Sequence, residues 1–194
     1  MSHDPTPDAA ASRAADERRL LGALAEGDRS AAERLVDLTY GQIFAALTKL
    51  TGGDRDLAAD LTQETYRKAW RSLGSFDRRS RFGTWLYRIA YNTFLNHIRR
   101  PQPLQALDDG SASRLEDPAR GQDDRLDRRE VAARLRRAVI GLPDELRFTV
   151  TARFWGELAV EDIARLENVT GAAIRKRLKN AMARMRLSLG EDAA

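Results

Sequence analysis

The sequence predicts an all-α protein: two small helical domains joined by an extended acidic linker. Three observations predict it. Apolar residues recur at three- and four-residue intervals on both sides of the chain's middle, the period of helices buried on one face. From Pro101 to Asp124 that pattern lapses: two prolines stand near the start, Gly and Ser are scattered, and six acids face two basic residues. No aromatic residue lies between Phe94 and Phe148, so the segment has little to pack with. The expected divisions are a disordered leader over 1–15, a first domain over 16–100, the linker over 101–125, a second domain over 126–189 and a tail over 190–194. The tail is too short for an added domain.

The leader is rich in Pro, Ala, Ser and Asp and has no apolar period. A short helix is expected from Asp16 to Glu26, stopped by Gly27. Ser30 and Glu33 stand at capping-box spacing and open a longer helix. Its Leu35, Leu38, Ile43, Phe44, Leu47 and Leu50 serve the core, up to a break at Thr51-Gly52-Gly53. The next helix runs from near Asp54 to Leu73, ended by Gly74, and buries Leu61, Thr65, Tyr66, Ala69 and Leu73. Asp60, Gln63, Glu64, Arg67 and Arg71 fall on its other side. Such a mixed-charge face is ordinarily solvated or laced with salt bridges three and four residues apart. The alternative is a docking surface for another protein.

The densest chemistry lies in residues 75–100. From Arg81 onward Phe82, Leu86, Ile89, Ala90 and Thr93 keep helical spacing until Pro101 stops the helix. At about 100° per residue, Arg81, Trp85, Arg88, Asn92, Asn96 and Arg99 share a strip roughly 80° wide. The strip carries cations, amides and an indole, with no acid. Cations neutralise phosphates, amides read base edges, and an aromatic face stacks on an unpaired base. Residues 65–100 hold nine Arg or Lys against one acid, Asp77. In the loop from Gly74 to Ser80, Phe76 sits among Arg78 and Arg79. It either helps to form a pocket for an unstacked base or plugs the loop from beneath. The plain alternative for the strip is a solvated basic face with a boundary Trp.

The second domain opens with an amphipathic helix over Leu126–Ile140, marked by Leu126, Val131, Leu135 and Val139 and broken by Gly141-Leu142-Pro143. A helix over Asp144–Trp155 follows, its first-turn acids favoured by the helix dipole. A short helix over Val160–Glu167 leads to Asn168-Val169-Thr170, where Asn suits a left-handed turn and Thr170 can cap the next helix. That last helix, Gly171–Leu189, gathers Ile174, Leu178, Ala181, Met182, Met185 and Leu189 on one side and Arg175, Lys176, Lys179 and Arg186 on another. It holds six basic residues and no acid. Short helix, tight turn and long basic helix form the helix-turn-helix arrangement, whose second helix enters the major groove. The alternative is a helical hairpin with a solvated basic end.

Composition excludes several classes. The net charge of +4 and pI near 9.7 suit a polyanionic partner. Without cysteine there is no disulfide, thiolate metal site or cysteine catalysis. The only histidines, His3 and His97, stand at no metal-ligand spacing with acids, and His97 falls on the apolar side of its helix. These points argue against a nucleic-acid hydrolase, a metal, a cofactor or a small-molecule substrate. No apolar run approaches membrane-spanning length and no signal peptide opens the chain, so a cytoplasmic protein without membrane insertion is expected.

Two stretches resemble one family. Asp60-Leu-Thr-Gln-Glu-Thr-Tyr-Arg-Lys-Ala-Trp70, Ser75-Phe76, Phe82-Gly-Thr-Trp-Leu-Tyr-Arg-Ile-Ala-Tyr-Asn92 and Arg99-Arg100 resemble region 2 of bacterial sigma factors of the extracytoplasmic-function (ECF) group. Leu142-Pro143, Leu158-Ala-Val-Glu-Asp-Ile-Ala164 and Ile174-Arg-Lys-Arg-Leu178 resemble region 4 of the same group. The resemblance implies a non-enzymatic specificity factor whose first domain grips RNA polymerase core and opens the promoter −10 element while the second binds the −35 element. Its implied partners are the β and β′ subunits of the core, promoter DNA and an anti-sigma factor. Asp60, Gln63 and Glu64, with Arg67 beside them, match the face that meets the clamp helices of the largest core subunit. Phe76 and Asn92 match positions around a flipped base, and Arg88, Arg99 and Arg100 would hold backbone. Arg78, Arg79, Arg81, Trp85 and Asn96 complete the −10 set. Arg175, Lys176 and Lys179 match groove-facing positions, joined in the −35 set by Thr170, Arg177 and Arg186.

Departures from the family pattern qualify the second motif. Ala159 stands where a capping Ser is usual, Asn168 replaces a turn Gly, and Ala172-Ala173 replace Gly-Thr. Lys176 and Asn180 replace Ser and Arg, so no −35 preference carries over. A stand-alone helix-turn-helix regulator is the alternative. It explains the second domain but leaves Phe76, Trp85 and Asn92 idle.

Overall fold

Helix α1 (Pro7–Ala25) starts well before the expected Asp16 in the computed structural model, which describes residues 7–99 and 122–191. The disordered leader read over 1–15 is therefore corrected for residues 7–15. Pro7 needs no hydrogen-bond partner in a first turn, and the alanines behind it have the highest helix propensity, so no apolar period is required. The remainder of the leader, Arg100, linker residues 101–121 and tail residues 192–194 lie outside the described residues.

Helix α2 (Ser30–Leu50) is not opened by the predicted capping box. Asp28 takes that role: its carboxylate accepts from the Ser30 backbone N–H at 2.9 Å and from the Ser30 hydroxyl at 2.7 Å. Helix α3 (Arg55–Ser72) starts where expected and is capped by Asp54, which accepts from the Leu57 N–H at 2.9 Å; it ends in a 3-10 turn over Leu73–Ser75. Helix α4 (Phe82–Arg99) lies against α2 and α3. Leu35, Ile43, Leu47, Phe82, Leu86 and Ala90 form the centre of this four-helix unit. A buried bond of 2.8 Å between the Thr39 and Tyr66 hydroxyls satisfies both polar atoms there.

The second half holds α5 (Gln122–Ile140), α6 (Asp144–Phe154), α7 (Val160–Glu167) and α8 (Gly171–Glu191). Helix α8 runs past the predicted Leu189, and α5 begins inside the predicted linker. Asn168 adopts φ 54°, ψ 44°, the left-handed turn that its residue type suggested. Thr170 Oγ1 accepts from the Ala173 N–H at 3.2 Å and caps α8. Val139, Leu142, Val150, Ala181 and Met185 form a core of their own. Val131 and Leu135, expected to be buried, face outward, Val131 with 62% of its surface open.

The larger hydrophobic core does not stop at the domain boundary. Phe148, Ala152, Leu158, Ile163 and Ile174 of the second half are continuous with Leu86, Tyr87 and Tyr91 of α4. Helix α4 therefore has two buried faces, one on α2 and α3 and one beneath α6 and α7.

Candidate nucleic-acid interface

The predicted strip on α4 forms as one helix face, but its two ends meet different surroundings. Asn92, Asn96 and Arg99 near the C-terminal end are exposed. Trp85, Arg81 and Arg88 near the N-terminal end are half-buried. Phe76 leans from the loop onto this end, its ring 5.0 Å from that of Trp85 and 5.9 Å from that of Phe82. It is both a partial plug and a half-open aromatic surface. His97 is half-buried on its helix, as the apolar spacing suggested.

An open cleft of about 350 Å³ lies over these rings, with Phe76 and Phe82 on its floor and Arg18, Arg78, Arg79, Arg81 and Arg165 among its walls. Aromatic floor and arginine walls are the chemistry that stacks a base and holds its phosphate. Arg78 sits at φ 59°, and Asp77 accepts from the Arg79 N–H at 3.0 Å, which fixes the loop's turn. Helix α1 contributes Ala14, Arg18 and Leu21 to the cleft. No spacing within α1 signals that wall, because it is set by how α1 packs across the loop before α4.

Glu17 of α1 is a further residue that sequence reasoning missed. Its carboxylate is buried and accepts from the Phe82 N–H at 3.1 Å, capping α4 from a distance of 65 positions in sequence. Burial holds its pKa above the usual carboxylate value, opposed by the nearby Arg81 guanidinium. No local motif reveals a cap supplied by another helix.

The mixed-charge face of α3 is open where predicted. Asp60, Gln63, Arg67 and Arg71 are exposed and Glu64 half-exposed. Glu64 pairs with Arg67 and, at 3.4 Å, with Lys68, the i+3 and i+4 spacing anticipated for a laced helix.

On α8, Arg175, Lys176, Lys179 and Arg186 point to solvent, and Thr170 is exposed at its start. Arg175 is within 3.0 Å of Glu161. Arg177 departs from the predicted −35 set. Its guanidinium turns inward and pairs with Glu145 at 3.0 Å and Glu167 at 3.3 Å. The reason is geometric: Arg177 lies two residues from Arg175, on the side of the helix that packs against α6 and α7.

Where α4 meets the second half, Arg88 is ion-paired with Glu167 and lies 3.6 Å from the centre of the Phe148 ring. Arg81 is 3.7 Å from Asp162, and Arg99 is 3.2 Å from Asp144. Burial lowers the pKa of Arg88, though a guanidinium keeps its charge. Tyr87 and Tyr91 close around Phe148, ring centres 6.1 and 5.2 Å away. Sequence reasoning missed these contacts. The available signal was the run of adjacent apolar pairs Leu86-Tyr87, Ala90-Tyr91 and Phe94-Leu95, a wider arc than one packing face needs.

Among the described residues, a helical unit with a basic, aromatic and amide-bearing helix stands beside a helix-turn-helix, the class of a nucleic-acid-binding protein. Residues 35–103 match the family model for sigma-70 region 2. The chain is 33% identical over 177 residues to the RNA polymerase sigma-H factor of Pseudomonas aeruginosa, covering 85% of this chain and 89% of that one. It is 31% identical over 173 residues to the ECF RNA polymerase sigma-E factor of Escherichia coli, covering 84% and 88%. Its fold is similar to that in a structure of CnrH in complex with the cytosolic domain of CnrY, with a TM-score of 0.62 and 21% identity over 91% of this chain and 99% of that one. The chain belongs to the ECF group of RNA polymerase sigma factors and is an alternative sigma factor. Among the described residues no helix is long and apolar enough to cross a membrane.

Proposed function

We propose that the first half binds RNA polymerase core and holds the melted −10 strand, while α8 binds the −35 duplex, without chemical catalysis by the chain itself. The observation that carries this is the exposed Asn92, Asn96 and Arg99 on α4, running on from the half-open Phe76 and Trp85 and the arginine-walled cleft. A base leaving the stack costs a few kcal/mol, and an aromatic face with cations beside it offsets that cost. Asp60, Gln63, Glu64 and Arg67 are the proposed contact for the β′ clamp, supported by an open face that no other element of the chain covers among the described residues. The β subunit is the other expected core contact. Arg175, Lys176, Lys179 and Arg186, with Thr170 at the helix start, are the proposed −35 contacts; Arg177 is not among them. An anti-sigma factor is a further proposed partner, and the cytoplasm, where promoter DNA lies, the proposed place of action. The test is reconstitution with purified core polymerase and a library of promoter fragments. Specific run-off transcripts that appear only with this chain are expected. Duplex binding without core and without any transcript would instead favour a stand-alone regulator.

A further inference from the structure

Phe76 stands between two hollows, and the strand-holding role given above uses only one of them. On one side is the arginine-walled cleft. On the other is an apolar groove of about 290 Å³ between the end of α1 and the 3-10 turn, lined by Leu21, Leu24 and Leu73. Leu21, Phe76 and Arg78 line both, so the two hollows meet around one ring. The cleft draws its cations from four places: Arg18 from α1, Arg78 and Arg79 from the loop, Arg81 from just before α4, and Arg165 from α7. Only part of that charge is neutralised within the chain. Arg81 and Arg165 share Asp162, and Arg79 lies 3.4 Å from Asp77. Arg18 and Arg78 are exposed, and no acid among the described residues pairs with either. Glu17, the only acid lining the cleft among the described residues, is committed to the Phe82 N–H.

We propose that the free chain binds a nucleoside polyphosphate here, with its base in the apolar groove against Phe76 and its phosphates among Arg18, Arg78 and Arg165. The proposal rests on the base-and-phosphate chemistry of the cleft stated above, but it needs two walls that the strand reading leaves unused, α1 and α7. An apolar groove and a cationic cleft that meet at one ring select a ligand joining a flat apolar group to a short chain of negative charge. A nucleotide has that form. Its base stacks on Phe76, while guanidiniums, planar and permanently charged, fork onto phosphate oxygens. The cleft, at about 350 Å³, already falls in the range of about 300–1,000 Å³ usual for small-molecule sites, and the groove adds to it. Arg165 belongs to the second half, so the site is complete only while α7 packs against α4. The nucleotide is thus a ligand of the packed free chain, which it stabilises by mass action. A DNA strand held along α4 needs no contact with Arg165.

The test is equilibrium dialysis of the full chain, without core polymerase, against ATP, GTP, adenosine and inorganic tripolyphosphate. ATP and GTP should bind roughly tenfold more tightly than tripolyphosphate, the gain expected from one stacked base, and adenosine most weakly. Arg18→Ala and Arg165→Ala should each weaken ATP binding about tenfold, the loss of one charged hydrogen bond. Leu24→Gln should weaken ATP binding and leave that of tripolyphosphate unchanged. Circular dichroism checks that each variant is folded, and ATP should raise the melting temperature of wild type more than that of Arg165→Ala. Tripolyphosphate binding as tightly as ATP would overturn the proposal and leave a general anion cleft. Unchanged ATP binding in both arginine variants would overturn it too, because α1 and α7 would then not build the site. Run-off transcription with core polymerase separates this site from the strand reading: Arg165→Ala, which touches no proposed DNA or core contact, should transcribe as wild type does. Failure of ATP to bind a wild-type chain that still gives specific transcripts would overturn the nucleotide site and leave the strand reading standing. Nucleotide binding by a chain that gives no transcripts would sustain the site and remove the strand reading.

Discussion

Phe76 shows how one side chain can carry two roles that substitution separates. Its ring is half-buried against Trp85 and Phe82 and also floors the arginine-walled cleft. Phe76→Ala should cost about 2 kcal/mol of stability, roughly half the loss for a fully buried Phe. Phe76→Leu keeps most of the apolar volume and should stay within about 1.5 kcal/mol of wild type in denaturant melts. If the ring stacks a base, the leucine variant should still lose promoter opening, read by permanganate reactivity of the melted strand; full opening would leave Phe76 as a plug only. Glu17 gives a pH prediction. Burial raises its folded pKa above the ordinary carboxylate value, so the folded chain holds this proton more tightly than the unfolded chain. Stability from this group is therefore greatest at low pH and declines as pH rises from about 4.5 through the folded pKa, then levels off. The melting temperature of wild type minus that of Glu17→Gln should fall across that window. A flat difference would mean that Glu17 titrates alike in both states.

At the scale of elements, legibility followed how local the determinant was. The α7–α8 turn was readable because Asn168 and Thr170 act on backbone within a few residues of themselves. Thr170→Ala should cost about 1 kcal/mol through the lost cap. Asn168→Val should cost about 1–2 kcal/mol through left-handed backbone that a β-branched residue resists. Both are measurable by urea denaturation, and Asn168→Gly should be close to neutral. The capping box at Ser30 failed because Asp28, two residues earlier, satisfies the same helix end. The leader was misjudged because the start of α1 rests on the helix propensity of its alanines, while Glu17, Leu20 and Leu21 further along are the residues that bury it.

For the whole molecule, the continuous core from α2 through α4 to α6 and α7 makes the two halves one cooperative body. Calorimetric unfolding at low ionic strength should show one transition. Added salt screens the exposed Arg99–Asp144 and Lys49–Glu157 pairs more than the half-buried Arg88–Glu167 contact, so the coupling should weaken gradually rather than vanish at once. Two separate transitions at low salt would show that the halves fold and unfold without regard to each other.

By itself the sequence determined the helical class, the position of most helix ends, the strip on α4, the charged face of α3 and the outward cations of α8. Each depends on spacing along one helix or on a cap within a few residues, and spacing is written in the chain. Only the tertiary structure decided that Glu17 caps α4, that Arg177 turns inward, and that Arg81, Arg88 and Arg99 face acids from the other half. Apart from the Arg177–Glu167 pair, ten positions apart, these contacts join residues dozens of positions apart. Their partners are chosen by how the packed helices cross, which no local period encodes.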